Sequence, residues 1–266
     1  MSRLQPTFAR LRRDGRRALA IYITAGDPDL ETSVAAAVAA AQAGADILEI
    51  GIPFSDPVAD GPVIQRAMNR ALAGGGGYEQ SLELLRRVRA QTEVPLVVFG
   101  YVNPLLWEGI DSSCARVAQA GADGVLVVDV PVEEAAPFRA AAQQNGLDWV
   151  SLAAPTTGSE RAQAIARCAT GFLYLVAMTG VTGGELSDVS RLPPLVASMR
   201  QVTDIPICVG FGVRDQQSAA QAAAVADGVV VGSAVVAAIE EADTAGDAAA
   251  RVGAFVAGLR AGVDVA

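Results

Sequence analysis

The chain has 266 residues, of which 52% are hydrophobic and only 5% aromatic, and its net charge is −9. This length is long for one ordinary domain but suits one large α/β core, and the low aromatic content disfavours an all-β protein. The negative charge argues against nucleic acid as a partner, because nucleic acids bind clustered positive charge. We expect a small-molecule substrate.

Two residue types are missing, because all 20 basic residues are Arg and the chain contains neither His nor Lys. Without His there is no Ser-His-Asp triad and no imidazole metal site. Without Lys there is no Schiff base to a carbonyl group or to pyridoxal phosphate. We therefore expect no metal site, and any catalysis must rely on carboxylates, hydroxyls, thiols and the backbone.

The start of the chain predicts a cytoplasmic protein. Residues 1–17 contain six Arg and no apolar segment of a secretion signal, and an N-terminal helix with a solvated basic face is predicted over about residues 3–14. The longest uncharged stretch, residues 168–184, is Gly-rich and too short for a membrane span. Three widely spaced cysteines are expected to be buried, reduced thiols: Cys114, Cys168 and Cys208.

In chain order, short apolar runs alternate with Ala-rich segments of helical length, which predicts parallel βα units. The eight runs cover residues 19–24, 46–50, 96–99, 124–128, 149–152, 172–176, 207–209 and 228–231. Eight strands in this order predict a closed (β/α)8 barrel, or TIM barrel, as a single domain over residues 1–266. Similar segments at 43–46, 120–123 and 224–227 are interpreted as equivalent helix-to-strand turns with a structural role.

A carboxylate lies at the carboxyl end of the second predicted strand, where barrel enzymes place reactive groups. Glu49 is flanked there by apolar residues, and a buried carboxylate is costly unless it is paired or neutral. We interpret it as catalytic, although pairing with a buried donor is the structural alternative.

The loop over residues 53–62 is rich in turn formers and contains two more carboxylates, Asp56 and Asp60. Asp60 either reaches the barrel mouth or caps the helix that follows, because Asp before Pro is common at helix starts. The sequence pattern leaves these two interpretations open.

Gly-rich segments follow the last two predicted strands, at 209–212 and 231–234. Many barrels bind phosphate there through backbone N–H groups, although tight turns would also favour Gly. A longer polar, Gly-rich stretch at about residues 177–190 predicts a mobile lid or, alternatively, a surface linker.

Residues 48–65, LEIGIPFSDPVADGPVIQ, resemble the signature of tryptophan synthase alpha chains, and residues 101–104, 129–134, 180–183, 210–212 and 232–233 resemble further family segments. The resemblance spans about residues 7 to 260. It implies a lyase that cleaves indole-3-glycerol phosphate by a retro-aldol reaction to indole and glyceraldehyde 3-phosphate.

The resemblance implies specific roles for residues of this chain. Glu49 would be the general acid and base, and Asp60 would hold the indole N–H. The substrate-binding positions would be Tyr22, Phe99, Tyr101, Leu126, Tyr174, Thr182 and Phe211, and the phosphate-binding positions Gly183, Gly212, Gly232 and Ser233. Two residues depart from the family pattern. The family usually has Phe where this chain has Tyr22, and commonly Ser where it has Ala177.

The resemblance also implies a partner, a β subunit in an α2β2 complex that carries the pyridoxal phosphate and converts indole to L-tryptophan. This chain itself would hold no cofactor. The partner would face Asp56, Pro57, Asn103 and Pro104. The alternatives are a lyase that works alone, a catalytically silent activating subunit, and an indole-3-glycerol phosphate synthase or other barrel isomerase. The chemistry of that synthase resembles a reaction that needs Lys, and Lys is absent from this chain.

Overall fold

In the computed structural model, which describes residues 2–176, 192–210 and 212–266, short parallel strands alternate with helices. The strands are β1 (Ala18–Thr24), β2 (Ile47–Gly51), β3 (Leu96–Gly100), β4 (Gly124–Val127), β5 (Asp148–Trp149), β6 (Ser151–Ala153), β7 (Leu173–Val176), β8 (Ile207–Gly210) and β9 (Gly228–Val231). The helices in the described ranges are α1 (Leu4–Arg13), α2 (Leu30–Gln42), α3 (Pro62–Ala73), α4 (Tyr78–Arg89), α5 (Val102–Leu106), α6 (Ile110–Gln119), α7 (Ala136–Gln144), α8 (Ser159–Cys168), α9 (Leu192–Arg200), α10 (Gln216–Ala223), α11 (Ser233–Glu240) and α12 (Ala245–Val263).

The strands form one parallel sheet in the order β5-β4-β3-β2-β1-β9-β8-β7-β6. The two ends of this order, β5 and β6, are halves of one strand that is interrupted at Val150. Its first half pairs with β4 and its second half with β7, so the sheet curls into a nearly closed barrel. The predicted (β/α)8 fold is confirmed, with the fifth of the eight predicted strands split in two.

The barrel interior is filled by side chains from alternate strand positions and is plugged at the end where α1 lies. Leu4, Phe8 and Leu11 of α1 belong to the same buried cluster as interior strand residues such as Ile47 and Val97. Such filling is expected, because a barrel of this size encloses a packed core and not a pore. The reactive groups must therefore lie at the opposite end.

The repeated helix-to-strand turns place an Asp at the start of a strand, and each Asp carboxylate ties two neighbouring strands together. Asp46 accepts hydrogen bonds from the Leu19 amide at 3.1 Å and from Arg260 Nη1 at 2.7 Å. Asp123 accepts from the Leu96 amide at 2.9 Å and from Arg89 Nη2 at 2.7 Å. The predicted structural role of these turns is confirmed.

The third turn follows the same pattern. Asp227 accepts from the Ile207 amide at 2.7 Å and is paired with Arg200. In the first two turns, Gly44 has a φ of +107° and Gly121 a φ of +101°. Glycine is favoured at both positions because other residues rarely adopt such angles.

The prediction of three buried thiols is wrong for one cysteine. All three cysteines are free, and Cys114 and Cys208 are buried, but Cys168 is only half-buried. It ends α8 and is therefore less enclosed than a residue in the middle of the helix face. Its Sγ accepts a hydrogen bond from Arg139 Nη1 at 3.5 Å.

Within the described ranges, no helix is long and apolar enough to cross a membrane. In the same part of the chain, no three His, Cys, Asp or Glu side chains come together as a possible metal site.

Candidate active site

Glu49 points into the barrel from β2, near the carboxyl end of the strand. Its neighbours Leu48 and Ile50 belong to the outer layer between the sheet and the helices, so alternation along the strand turns Glu49 inward. In the strand register it pairs with Tyr22 on one side and Val97 on the other. The side chain therefore enters the apolar interior at the level of these two residues.

The carboxyl group of Glu49 is almost completely removed from water, with 1% of the residue exposed. Its Oε1 is buried and has no hydrogen-bond partner among the described residues. This burial raises the pKa of Glu49 to about 8, since the charged form loses its hydration. Among the described residues no buried donor pairs with Oε1, and the raised pKa favours the protonated form of Glu49 at neutral pH.

Asp60 lies in the loop after β2 and is held by a tyrosine from the next strand end. Tyr101 Oη donates a hydrogen bond to Asp60 Oδ2 at 2.6 Å and accepts one from the Ala59 amide at 3.0 Å. The N-cap of α3 is Gly61, and no side chain caps this helix. The helix-cap interpretation of Asp60 is therefore wrong.

The pKa of Asp60 is also raised, to about 6, because burial outweighs the hydrogen bond from Tyr101, which lowers it. The two carboxyl groups thus differ in proton affinity in the direction that keeps Glu49 protonated while Asp60 is ionised. Environments that push two pKa values apart are typical of acid and base pairs in active sites.

Two more tyrosines come within electrostatic range of this pair. Burial raises the pKa of Tyr22, and the charges of Asp60 and Glu49 raise it further. Burial raises the pKa of Tyr174 as well, again with contributions from Glu49 and Asp60. Both phenols therefore stay neutral beside the carboxylates and are hydrogen-bonding groups, not bases.

The hydroxyl groups of these tyrosines rest on glycines at strand ends. A Cβ at Gly51 would overlap the Tyr22 hydroxyl, and a Cβ at Gly210 would overlap the Tyr174 hydroxyl. Each glycine therefore makes room for an aromatic ring that lies across the barrel mouth.

Apolar residues line the interior beside the carboxyl groups. Phe99 packs edge-on against Tyr22, with ring centroids 5.2 Å apart and an interplanar angle of 79°. Leu126 is fully buried in the same interior cluster. The structure thus brings together Tyr22, Phe99, Leu126 and Tyr174 around the end of the barrel where Glu49 lies.

The predicted phosphate positions lie at the ends of β8 and β9. Gly232 is the N-cap of α11 and Ser233 its first residue, so the first amides of this helix have no partner within the helix. A Cβ at Gly232 would lie 3.5 Å from Tyr22 Cβ and 3.6 Å from Ile64 Cδ1, which places the helix start beside the aromatic residues of the mouth. Gly212 is exposed and has a φ of +55°.

Several predicted features lie outside the described residues. They are the lid over residues 177–190 with Ala177, Thr182 and Gly183, and the aromatic residue Phe211.

The predicted partner-facing residues fall on two neighbouring loops. Asp56 and Asn103 are exposed and Pro104 is half-exposed, whereas Pro57 is buried. Pro57 packs inward in the turn before α3, so its side chain offers little surface to another protein. Phe54 links the two loops, because its ring centroid is 5.1 Å from that of Tyr101.

Sequence analysis missed the most exposed apolar residues of these loops. They are Trp107, which is 90% exposed, Val58, which is 85% exposed, and Leu106, which is 46% exposed. A cavity of about 510 Å³ beside them is lined by Phe54, Tyr78, Asn103, Pro104 and Trp107 among others. We call Val58, Leu106 and Trp107 the apolar loop residues. An apolar run interrupted by Asn-Pro was the available signal.

A network of ion pairs connecting the elements around the site was also missed. Arg70 of α3 donates two hydrogen bonds to buried Asp27, at 2.8 and 2.9 Å, and one to Glu240 of α11 at 2.6 Å. Arg66 donates to the same Glu240 at 3.1 and 2.9 Å. The network fixes the helix after Asp60 to the helix that begins at Ser233.

The sequence matches one known protein family over most of its length. The family model described as tryptophan synthase alpha chain matches residues 8–264. A tryptophan synthase alpha chain from Geobacter sulfurreducens is 47% identical over 221 residues, which cover 83% of this chain and 84% of the relative. One from Alkalilimnicola ehrlichii is 50% identical over 222 residues, with coverage of 83% and 81%.

Solved structures agree in fold. Tryptophan synthase subunit alpha from Legionella pneumophila superposes with a TM-score of 0.93 at 38% identity and covers 100% of both chains. A structure of Mycobacterium tuberculosis tryptophan synthase gives a TM-score of 0.91 at 39% identity and covers 98% of each chain.

Proposed function

Because this chain belongs to the tryptophan synthase alpha chain family, we propose that it is a lyase that splits indole-3-glycerol phosphate into indole and glyceraldehyde 3-phosphate. The observation that carries the proposal is the buried Glu49, whose Oε1 has no hydrogen-bond partner in the part of the chain that the structure describes and whose pKa is raised to about 8. A protonated carboxyl group in an apolar barrel mouth can donate its proton to a bound substrate.

The reaction needs an electron sink, and the chain has no Lys or His to provide one. Indole becomes its own sink when C3 is protonated. Glu49 gives its proton to C3, and the ring nitrogen takes up positive charge, which ionised Asp60 stabilises at the N–H. A base, in this proposal Glu49 again, removes the proton of the hydroxyl group on the carbon attached to the ring. The carbon–carbon bond breaks, its electrons restore the aromatic ring, and that carbon becomes the aldehyde.

The surrounding residues have matching tasks in this proposal. The indole ring packs among Tyr22, Phe99, Leu126 and Tyr174, and Tyr101 positions Asp60 through the 2.6 Å hydrogen bond. The phosphate binds at Gly212, Gly232 and Ser233, where the first amides of α11, which have no partner within the helix, offer donors to a dianion. Thr182, Gly183 and Phe211, outside the described residues, are proposed to complete the substrate site together with a lid over residues 177–190.

We propose a β subunit of tryptophan synthase as the partner, in an α2β2 complex that uses the released indole to make L-tryptophan. Pyridoxal phosphate is assigned to that partner, since this chain has no lysine to hold it. The proposed contact surface is Asp56, Asn103 and Pro104 together with the apolar loop residues, while buried Pro57 supports the loop from behind. Three free thiols suit a reducing compartment, and we place the reaction in the cytoplasm.

The pH dependence of cleavage tests the assignment of acid and carboxylate. Since Asp60 must be ionised and Glu49 protonated, kcat/KM is expected to rise through pH about 6 and to fall above pH about 8. The measurement is indole release across this range, with circular dichroism at each pH to confirm that the chain stays folded. A rate that keeps rising above pH 9 in the folded protein would contradict Glu49 as the acid.

Partner dependence tests the proposed surface. Indole release by the chain alone is expected to be low and to rise about tenfold or more with a tryptophan synthase β subunit, within the usual range of coupling between sites. Trp107→Glu is expected to leave the activity of the isolated chain unchanged and to remove most of this rise. Val265→Glu is the matched control, because Val265 is also an exposed apolar residue, 76% exposed, but lies at the end of the chain.

The same assay separates the alternatives. Full activity without the β subunit, unchanged when it is added, would identify a lyase that works alone. If the complex does not cleave indole-3-glycerol phosphate but the chain still stimulates synthesis of L-tryptophan by the β subunit, the chain is a catalytically silent activating subunit. Either result would overturn part of the proposal.

A further inference from the structure

Two helices start at the barrel mouth, one beside each half of the proposed substrate site. α3 begins directly after the Asp60 loop, and Gln65 in its first turn donates a hydrogen bond from Nε2 to Asp60 O at 2.9 Å. α11 begins at Ser233, where the phosphate is proposed to bind. The position of α11 relative to α3 therefore sets the distance between the carboxylate proposed for the indole N–H and the amides proposed for the phosphate.

These two helices contact each other at two levels. Near the mouth the contact is apolar, since a Cβ at Gly232 would lie 3.6 Å from Ile64 Cδ1 of α3. Apolar contacts have no preferred direction and do not by themselves fix how far one helix is shifted along the other. At the other end of α11, Arg66 and Arg70 donate hydrogen bonds to its last residue, Glu240, at 2.6 to 3.1 Å. Charge-assisted hydrogen bonds have a defined geometry, so they fix this shift.

Arg70 is itself held by the barrel. Its Nε and Nη2 donate to both carboxylate oxygens of Asp27, at 2.8 and 2.9 Å, and Asp27 lies in the loop after β1, the strand that carries Tyr22. Asp27 is 1% exposed, and burial raises its pKa although the hydrogen bonds from Arg70 lower it. A buried ion pair is weak evidence for stability, because apolar residues of similar size are often as stable. What this pair adds is orientation, since two parallel hydrogen bonds fix the plane of the guanidinium group that holds Glu240.

We call Asp27, Arg66, Arg70 and Glu240 the spacing network. We propose that the spacing network sets the distance between the indole site and the phosphate site, and thereby selects indole phosphate esters with three carbons between the ring and the phosphate. Its members are positioning residues, which act through Asp60 and the start of α11 and do not touch the substrate. The inference rests on the proposed function, since it needs both of these sites.

Three esters that cannot be cleaved measure this selection. In 3-(indol-3-yl)propyl phosphate the chain has three carbons, as in indole-3-glycerol phosphate, but the carbon attached to the ring has no hydroxyl group, so binding is measured without turnover. The ethyl and butyl homologues shorten or lengthen the chain by one carbon. In calorimetric titrations, the unsubstituted protein is expected to bind the propyl ester about tenfold more tightly than either homologue, the usual effect of one methylene group in a fitted site.

Glu240→Ala removes the ion pairs between α3 and α11 and leaves Asp27 paired with Arg70. The Glu240 side chain is 30% exposed and lies at the end of its helix, so the change leaves no buried charge without a partner. The propyl ester is expected to bind about fivefold to tenfold more weakly, and its advantage over the two homologues to fall below about threefold. Free indole and free glycerol 3-phosphate are expected to change less than about twofold, because each half of the site is intact and only a linked ligand needs the correct spacing.

Glu31→Ala is the matched control. Glu31 of α2 accepts two hydrogen bonds from Arg87 of α4, both at 2.6 Å, so its loss also breaks an ion pair between two outer helices. It is expected to leave the affinities for the three esters and for both fragments unchanged. Urea unfolding measures the stability of the two variants, and binding of the fragments shows that each half of the site is folded.

The inference is overturned if Glu240→Ala weakens binding of indole and glycerol 3-phosphate as strongly as binding of the propyl ester, since the network would then only support the fold. It is also overturned if the variant keeps the length preference of the unsubstituted protein, or if the unsubstituted protein has no such preference. Failure of the proposed function has a different signature, because the unsubstituted protein would then bind the propyl ester no more tightly than free indole.

Discussion

Replacing Glu49 with Gln is expected to reduce indole formation about a thousandfold, within the usual contribution of a positioned general acid or base. Gln keeps the shape of the side chain but cannot give a proton to C3. Substrate binding is expected to remain close to normal, because the proposed indole and phosphate contacts are made by other residues. Steady-state kinetics and calorimetric titration of indole-3-glycerol phosphate measure the two effects separately.

The same substitution should stabilise the fold at alkaline pH. The native pKa of Glu49 is about 8, above its ordinary value of 4.5, so the native state holds a proton that the unfolded chain has already lost. Between these two values, rising pH therefore favours unfolding. At about 1.36 kcal/mol per pKa unit, the native chain should lose on the order of 4 kcal/mol of its free energy of unfolding between pH 5 and pH 9 through this group. Glu49→Gln should not show this loss.

A matched control separates these effects from the loss of any carboxylate. Glu83→Gln makes the same chemical change on α4, where Glu83 is exposed and, among the described residues, pairs with Arg86 alone, at 3.2 Å. It is expected to alter neither indole formation nor the pH dependence of unfolding. If Glu49→Gln retains a near-normal turnover, Glu49 is not the catalytic acid.

Local sequence patterns were sufficient to predict much of the barrel. Apolar runs bounded by Gly, Pro or Asp mark strands because a buried parallel strand must be apolar on both faces. Glu49 stood out for the same reason, since a carboxyl group within such a run carries a high cost of burial. The repeated turns before Asp46 and Asp123 were recognisable because their role depends on adjacent residues.

Features that depend on distant residues were not predictable in this way. Tyr101 meets Asp60 across 41 positions of sequence, and without this contact Asp60 could equally have capped α3. The interruption at Val150 has no local marker, because residues 149–152 read as one short, mostly apolar run without Gly or Pro. Arg70 likewise acts through Asp27 and Glu240, which come from different elements.

Replacing Asp60 with Asn is expected to lower kcat/KM for cleavage about a hundredfold to a thousandfold, the usual cost of losing one group that stabilises charge in the transition state. Asn still accepts a hydrogen bond from Tyr101, so the loop should stay in place while its negative charge is lost. The acid limb of the pH profile should disappear with it, because the group that titrates at about 6 has been removed. Kinetics across pH check both effects. Asp111→Asn is the control, as Asp111 is exposed on α6.

Tyr101→Phe then distinguishes the charge of Asp60 from its positioning. The hydrogen bond from Tyr101 lowers the pKa of Asp60, so its removal should shift the acid limb to higher pH, whereas Asp60→Asn should abolish that limb. We expect Tyr101→Phe to reduce the rate about tenfold at neutral pH, through loss of roughly one charge-assisted hydrogen bond, and to recover part of it at pH 8. A Tyr101→Phe enzyme with an unshifted acid limb would mean that Asp60 is not the carboxylate whose ionisation controls the reaction. Asp60 would then be a structural residue of the loop, and stabilisation of the indole N–H would have to come from another group.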